Sequence, residues 1–180
     1  TLNGNPWWKA ILNAITFNRF FKGDVNVKLT AKDEASGIKS VLYYKSDKQL
    51  TETEVRAITD WTDNTDFGIK AKDTDKFIIY VRIEDNAGNV AYIGSDGAIF
   101  DTTAPKITGV DNKKIYYVTK SVTIKETNFE FVTLNGEKVG QTFTLAGDKG
   151  ATYVIRAVDK AGNVTEYTVY MKPISSITDA

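Results

Sequence analysis

The 180-residue sequence contains no cysteine and no histidine. Without cysteine, neither a disulfide nor a thiolate metal site can contribute to the fold. Without histidine, the commonest proton-transfer group near neutral pH and the commonest metal ligand are both missing. Excess charge of either sign is absent too, because 23 Lys and Arg residues balance 23 Asp and Glu. No positive field is therefore available to hold a phosphate backbone or an anionic membrane, and nucleic acid is not expected as a partner. The apolar stretch WWKAILNAITFNRFF at 7–21 is broken by Lys9, Asn13, Asn18 and Arg19. It is too short and too polar to span a bilayer, so no membrane insertion is expected. No secretory leader opens the sequence, which reads as beginning inside a longer chain.

What remains is the composition of a folded protein, with 42% hydrophobic and 26% charged residues, which argues against a disordered chain. The length suits one large or two small domains. Strand patterning is plain: Val25, Val27, Leu29 and Ala31 alternate with Asn26, Lys28 and Thr30, the period of a strand with one buried face. In KFIIYVRI, Phe77, Ile79, Val81 and Ile83 take one face and Ile78, Tyr80, Arg82 and Glu84 the other. Tyr153, Ile155 and Ala157 take an inward parity further on, against outward Val154, Arg156 and Val158.

One phrase occurs twice. Asp-x-Ala-Gly-Asn-Val stands at Asp85 and again at Asp159, in IEDNAGNVAYI and RAVDKAGNVTEY. The same offset carries Arg82 onto Arg156 and Val81 onto Ile155, so the repeat keeps its register and its buried face. Each copy reads as a hairpin of two strands. Gly88 and Gly162 supply positive φ, while Asp85, Asn89, Asp159 and Asn163 bond the turn's own backbone. Gly162→Val is expected to unfold the second domain. Asn135-Gly136, between two short apolar runs, reads as a second kind of tight hairpin turn.

Two short helices are expected among the strands. Asn5-Pro6 before WWKAILNA offers an N-cap and a proline at the first helical position. In TETEVRAI, Thr51 and Glu54 have capping-box spacing. Near Thr103, Thr-Thr-Ala-Pro holds the chain extended and marks a boundary. The expected domains are 1–103, with the short N-terminal helix, and a smaller one at 104–173; residues 174–180 would lead to a following module. In the second, short strands with frequent turns and no crossover helices read as an antiparallel β-sandwich, and the chain as a whole as all-β.

These residues carry a family resemblance. VDKAGNVTEYTVYMK following SVTIKETNFEFVTLNGEKV resembles the bacterial immunoglobulin-like domains repeated in large cell-surface proteins of Gram-positive bacteria. AKDEASGIKSVLYYKSDK, RIEDNAGNVAYIGSDGAIFDTTAP and WWKAILNAITFNRFF resemble the companion domain that precedes it. The resemblance implies two tandem immunoglobulin-like sandwiches in an extracellular protein, secreted or attached to the cell wall. It implies a non-catalytic spacer that positions functional domains away from the wall. Its alternatives are an adhesion module for glycan or host matrix protein, and an accessory module of a secreted glycan-degrading enzyme.

No enzymatic activity is expected, since no carboxylate sits in a motif with a second catalytic partner. The partners expected are neighbouring domains of the same polypeptide, with the protein a monomer. For ligands, the aromatic candidates are Trp7, Trp8, Trp61, Tyr43 and Tyr44, whose rings can stack on sugars. No organic cofactor is expected. Calcium is the candidate ion because it takes several hard oxygens, and Asp33, Glu34, Asp101 and Asp111 lie in predicted turns or at the boundary.

Overall fold

The computed structural model describes residues 16–147 and 150–176, together with the backbone of 8–10. The chain divides into two compact units, Thr1–Thr102 and Thr103–Ala180.

In the first unit the strands are β1 (Trp8–Ala10), β2 (Arg19–Phe21), β3 (Val25–Lys28), β4 (Ile38–Ser46), β5 (Asp66–Ile69), β6 (Lys76–Asp85), β7 (Val90–Ser95) and β8 (Ala98–Phe100), with a helix α1 (Glu52–Arg56) after β4. Long β6 is the organising strand, pairing antiparallel with β4, β7 and β8. β3 and β5 form a separate antiparallel ribbon. The expected alternation is seen in β3, where Val25 and Val27 are buried and Asn26 and Lys28 exposed. These valines, with Leu29 and Ile69, pack on Phe77, Ile79, Val81, Ala98 and Phe100 to make the main core.

The run Phe77–Val81 is buried without alternation, which is the mark of a strand covered on both faces. The cover on the second face is α1 and the segment after it. Val55 of the helix, with Leu50, meets Ile78 and Tyr80, and Trp61, Tyr44 and Tyr92 close over them. The Tyr80 hydroxyl accepts the Leu50 amide at 2.7 Å. The helix starts on the capping box read from its spacing: Thr51 accepts the Glu54 amide, and the Glu54 side chain accepts the Thr51 amide at 2.7 Å.

The helix expected after Asn5-Pro6 is not what the backbone of 8–10 forms. β1 runs there instead, antiparallel to β7 with Trp8 opposite Ser95 and Ala10 opposite Ile93. A short isolated helix is marginal in water, whereas an adjacent strand edge offers unpaired amides and carbonyls to a short extended segment. The remainder of that stretch, 5–7 and 11–15, lies outside the described residues.

In the second unit β9 (Lys106–Thr108), β10 (Ile115–Tyr116), β11 (Lys120–Lys125), β12 (Phe129–Leu134), β13 (Glu137–Val139), β14 (Thr142–Leu145), β15 (Ala151–Asp159) and β16 (Val164–Met171) form two sheets. One has the order β10-β16-β15-β12-β13 and the other β14-β11-β9. Between them lies a single core of Ile107, Val122, Ile124, Val132, Leu145, Ile155, Ala157, Val169 and Met171 with their neighbours. Val158 departs from its expected outward exposure and is 8% exposed, because on its own face of the sheet it stands opposite Phe131 and Val164. Asn135 and Gly136 turn β12 into β13 at φ 51° and 90°, as a two-residue type I′ hairpin requires. The Asn135 side chain also accepts the Val154 amide at 2.7 Å. Of residues 174–180, only the 3-10 turn Ile174–Ser176 is described.

Neither unit is wholly antiparallel. β2 runs parallel to β8, and β10 runs parallel to β16. In each unit a strand early in the chain thus lies beside the last strand, pointing the same way.

Candidate functional site

The repeated phrase builds the same device twice. In the first unit, Asp85 Oδ1 accepts the Asn89 amide at 2.8 Å and Oδ2 accepts the Asn89 side-chain amide at 2.7 Å. In the second, Asp159 takes the same two donors from Asn163 at 2.9 and 2.8 Å, and Oδ1 also accepts the Ala161 amide at 2.9 Å. Gly88 and Gly162 stand at φ 88° and 82°. The residue after each aspartate anchors the turn to a neighbouring loop: the Asn86 amide donates to Gly37 O at 3.0 Å and the Lys160 amide to Asn128 O at 2.8 Å. Those acceptors immediately precede β4 and β12, and both strands carry a bulge at their start.

The duplication therefore extends beyond the hairpin to the bulged strand beside it. SGIKSV and TNFEFV share too little for the sequence to show this. Chemically the device holds a turn. The Asn89 side chain is the main influence keeping the Asp85 carboxyl below the usual carboxylate range, as hydrogen bonding to the charged form does. A Cβ at Gly162 would meet nothing within 4 Å, so the penalty expected for Gly162→Val rests on the left-handed φ of 82° rather than on a steric clash with neighbours.

The calcium candidates do not converge. Asp33 accepts the Ser36 amide at 3.0 Å and the Ser36 hydroxyl at 2.6 Å, and that hydroxyl is the largest influence lowering its pKa. Glu34 is ion-paired with Lys32. Asp101 is buried at the end of β8, its amide donating to Phe21 O at 2.9 Å. Asp111 accepts Lys114 Nζ at 2.9 Å. Among the described residues, no three Asp, Glu, His or Cys side chains gather as a metal site.

The aromatic candidates separate by strand parity. Neighbours on a strand point to opposite faces, so Tyr43 goes inward and stacks on Phe67 at 3.8 Å between centroids, while Tyr44 goes to the helix-covered face. There Trp61 lies edge-on to Tyr44 at 6.5 Å and tilted against Tyr92 at 6.0 Å. The Trp61 indole N–H donates to Ile58 O at 2.9 Å. Arg56 from α1 lies 4.9 Å above the Tyr92 ring. Trp8 is on β1, its side chain outside the description, and Trp7 lies outside the described residues. Tyr92 and Arg56 were not singled out by sequence reading, yet a signal for Tyr92 existed. Counting back through the Ala-Gly-Asn turn places Tyr92 opposite Arg82, on the Tyr80 face.

Among the described residues, no helix is long and apolar enough to cross a membrane. No protein-family model and no curated protein matches the chain. The solved structures similar to the chain include two matched over nearly its whole length. The fibronectin(III)-like modules of Clostridium thermocellum CbhA share 10% identity at a TM-score of 0.45, covering 96% of this chain and 97% of that one. The Bacteroides ovatus mixed-linkage glucan utilization locus protein SGBP-B, in complex with a mixed-linkage heptasaccharide, shares 13% identity at a TM-score of 0.34. That match covers 94% of this chain but 46% of that protein, so the chain spans under half its length.

Proposed function

We propose that this chain is a non-catalytic spacer of a multidomain bacterial surface protein, built from two tandem immunoglobulin-like sandwiches that hold functional domains away from the cell wall. The observation that supports it is the parallel pairing of an early strand with the last strand in each unit. In the first, Arg19, Phe20 and Phe21 align with Ala98, Ile99 and Phe100, and the Asp101 amide adds a bond to Phe21 O. In the second, the β10–β16 pair is extended by Tyr170 N donating to Lys114 O at 3.0 Å and Lys172 N donating to Tyr116 O at 2.9 Å. Tension applied to the ends of such a pair slides one strand past the other and loads its bonds together. An antiparallel hairpin pulled at its open end breaks them one at a time.

Stretching single molecules through the two chain ends tests the reading. Two separate ruptures are expected, each at higher force than is needed when the second unit is held at residues 150 and 172, which peels β16 from β15. Equal forces in the two geometries would remove the support for a load-bearing spacer.

A second reading, an adhesive or glycan-accessory module, is favoured by the Tyr44–Trp61–Tyr92 grouping on one face, since aromatic rings stack on sugar faces. It predicts glycan-array binding by the intact chain that is lost in a folded Trp61→Ala/Tyr92→Ala variant. An array silent to the intact chain would reject it.

A further inference from the structure

We propose that the cleft beside β9 in the second unit binds an oxyanion, the carboxylate or phosphate of an acidic polysaccharide. The cleft is about 410 Å3, and its walls include Lys106, Gly109, Asp111, Lys114, Tyr116 and Lys120. Gly109 shapes it. At φ 95°, with an added Cβ only 2.0 Å from Ser121 O, this residue lets the chain leave β9 pressed against β11 and then swing out toward Asp111. Lys120 opens β11 beyond Gly109, while Lys106 stands opposite Lys125 in the antiparallel β9–β11 register, so the two lysines flank the cleft from its two ends.

Tyr116 gathers the charge. The ammonium groups of Lys120 and Lys114 lie 4.8 and 5.6 Å from the centroid of its ring, an attraction to the ring's electron-rich face. The acid in the wall is Asp111, and it is neutralised from within the wall. It accepts Lys114 Nζ at 2.9 Å and the Tyr116 hydroxyl at 3.2 Å, while its own amide donates to that hydroxyl oxygen at 2.8 Å. Neither Lys106 nor Lys120 takes part in the ion pairs among the described residues.

Three ammonium groups against one carboxylate is a local departure in a chain whose charges balance overall. Like charges collected in a concave site repel one another and focus the field toward solvent, and an entering anion relieves that repulsion. The volume exceeds what a single phosphate fills. The Tyr116 ring and the lysine stems add apolar surface suited to the faces of a sugar ring. A single cleft, rather than a stripe of basic residues, fits one charged sugar better than a nucleic-acid backbone.

Amide NMR of the full chain at low salt tests this with four probes: oligogalacturonate, a neutral glucan oligomer of equal length, inorganic phosphate, and a DNA oligonucleotide. Oligogalacturonate is expected to shift the amides of Gly109, Asp111, Tyr116 and Lys120, with affinity falling as salt rises because the contact is ionic. Phosphate is expected to shift the same amides more weakly, which assigns the remainder of the affinity to the sugar. Lys106→Gln/Lys120→Gln is expected to lose about tenfold in affinity, the size of one to two exposed charge contacts. Lys106→Arg/Lys120→Arg should retain most of it, separating loss of charge from loss of fold. The proposal is overturned if no anionic probe shifts these amides, if neutral glucan shifts them as strongly, or if DNA binds more tightly than oligogalacturonate. It is equally overturned if phosphate binds as tightly as the oligomer or the glutamine variant keeps its affinity.

Discussion

The Asp85 and Asp159 turns are chemically the same and differ in where the fold puts them. Both aspartates clamp an asparagine four residues on, with paired distances that agree within about 0.1 Å. Yet Asp159 is 2% exposed, whereas Asp85 is half-buried at an open rim. One local phrase therefore makes one local structure in both units, and its energetic weight is set by what surrounds it. A buried carboxylate that loses its donors has no water to replace them, while a rim carboxylate does.

The largest effect expected comes from the glycines, which sharpen the contrast between local turn and tertiary contact. Gly109→Val in the second unit drives a side chain into Ser121 O at a φ that β-branched residues do not tolerate. The second unit should fail to fold while the first melts as before. Two intact transitions in calorimetry would contradict this.

Next comes the clamp itself. Asp159→Ala strands three amide donors of the turn and should cost about 2–4 kcal/mol in chemical denaturation. Asp85→Ala should lower the first unit's midpoint by clearly less, and equal losses would break the burial argument.

The two central strands give a smaller contrast. Tyr80→Phe leaves the buried Leu50 amide without its acceptor and should destabilise the first unit by about 1–3 kcal/mol. Val154→Thr, on the exposed face of β15, should change the second by no more than about 0.5 kcal/mol. At Gly88 and Gly162, where an added Cβ meets open space in both units, alanine should cost a similar amount, about 1–2 kcal/mol of left-handed strain.

The smallest effect is in acid. The Asp85 carboxyl has its pKa lowered in the folded protein, so its contribution is fully present above the unfolded value of about 3.9 and is lost as pH falls through the folded one. The Asn89 side-chain amide resonances should therefore move with a midpoint below about 3.9. A midpoint at or above that value would contradict the clamp.

Both hairpins, the Asn135-Gly136 turn and the Thr51–Glu54 cap were legible because each depends on chemistry within a few residues. Strand parity was legible for the same reason, and applied to Tyr43 and Tyr44 it would have put them on opposite faces. The strand at Trp8–Ala10 was not, since its cause is the edge of β7, more than 80 positions away. The Tyr44–Trp61–Tyr92 grouping needs three separate elements brought together, and the second unit's cleft needs β9, β10 and β11. Spacing along the chain carries no trace of such meetings.

By itself, then, the sequence determined the all-β class, the duplicated turn and the absence of disulfide or histidine chemistry, because composition, period-two alternation and short-range hydrogen bonding are local properties. The tertiary structure alone decided the parallel pairing in each unit, the covered second face of β6 and the different burial of two identical turns. Those depend on which distant segments exclude water from one another, and burial is a property of the assembled fold rather than of any residue in it.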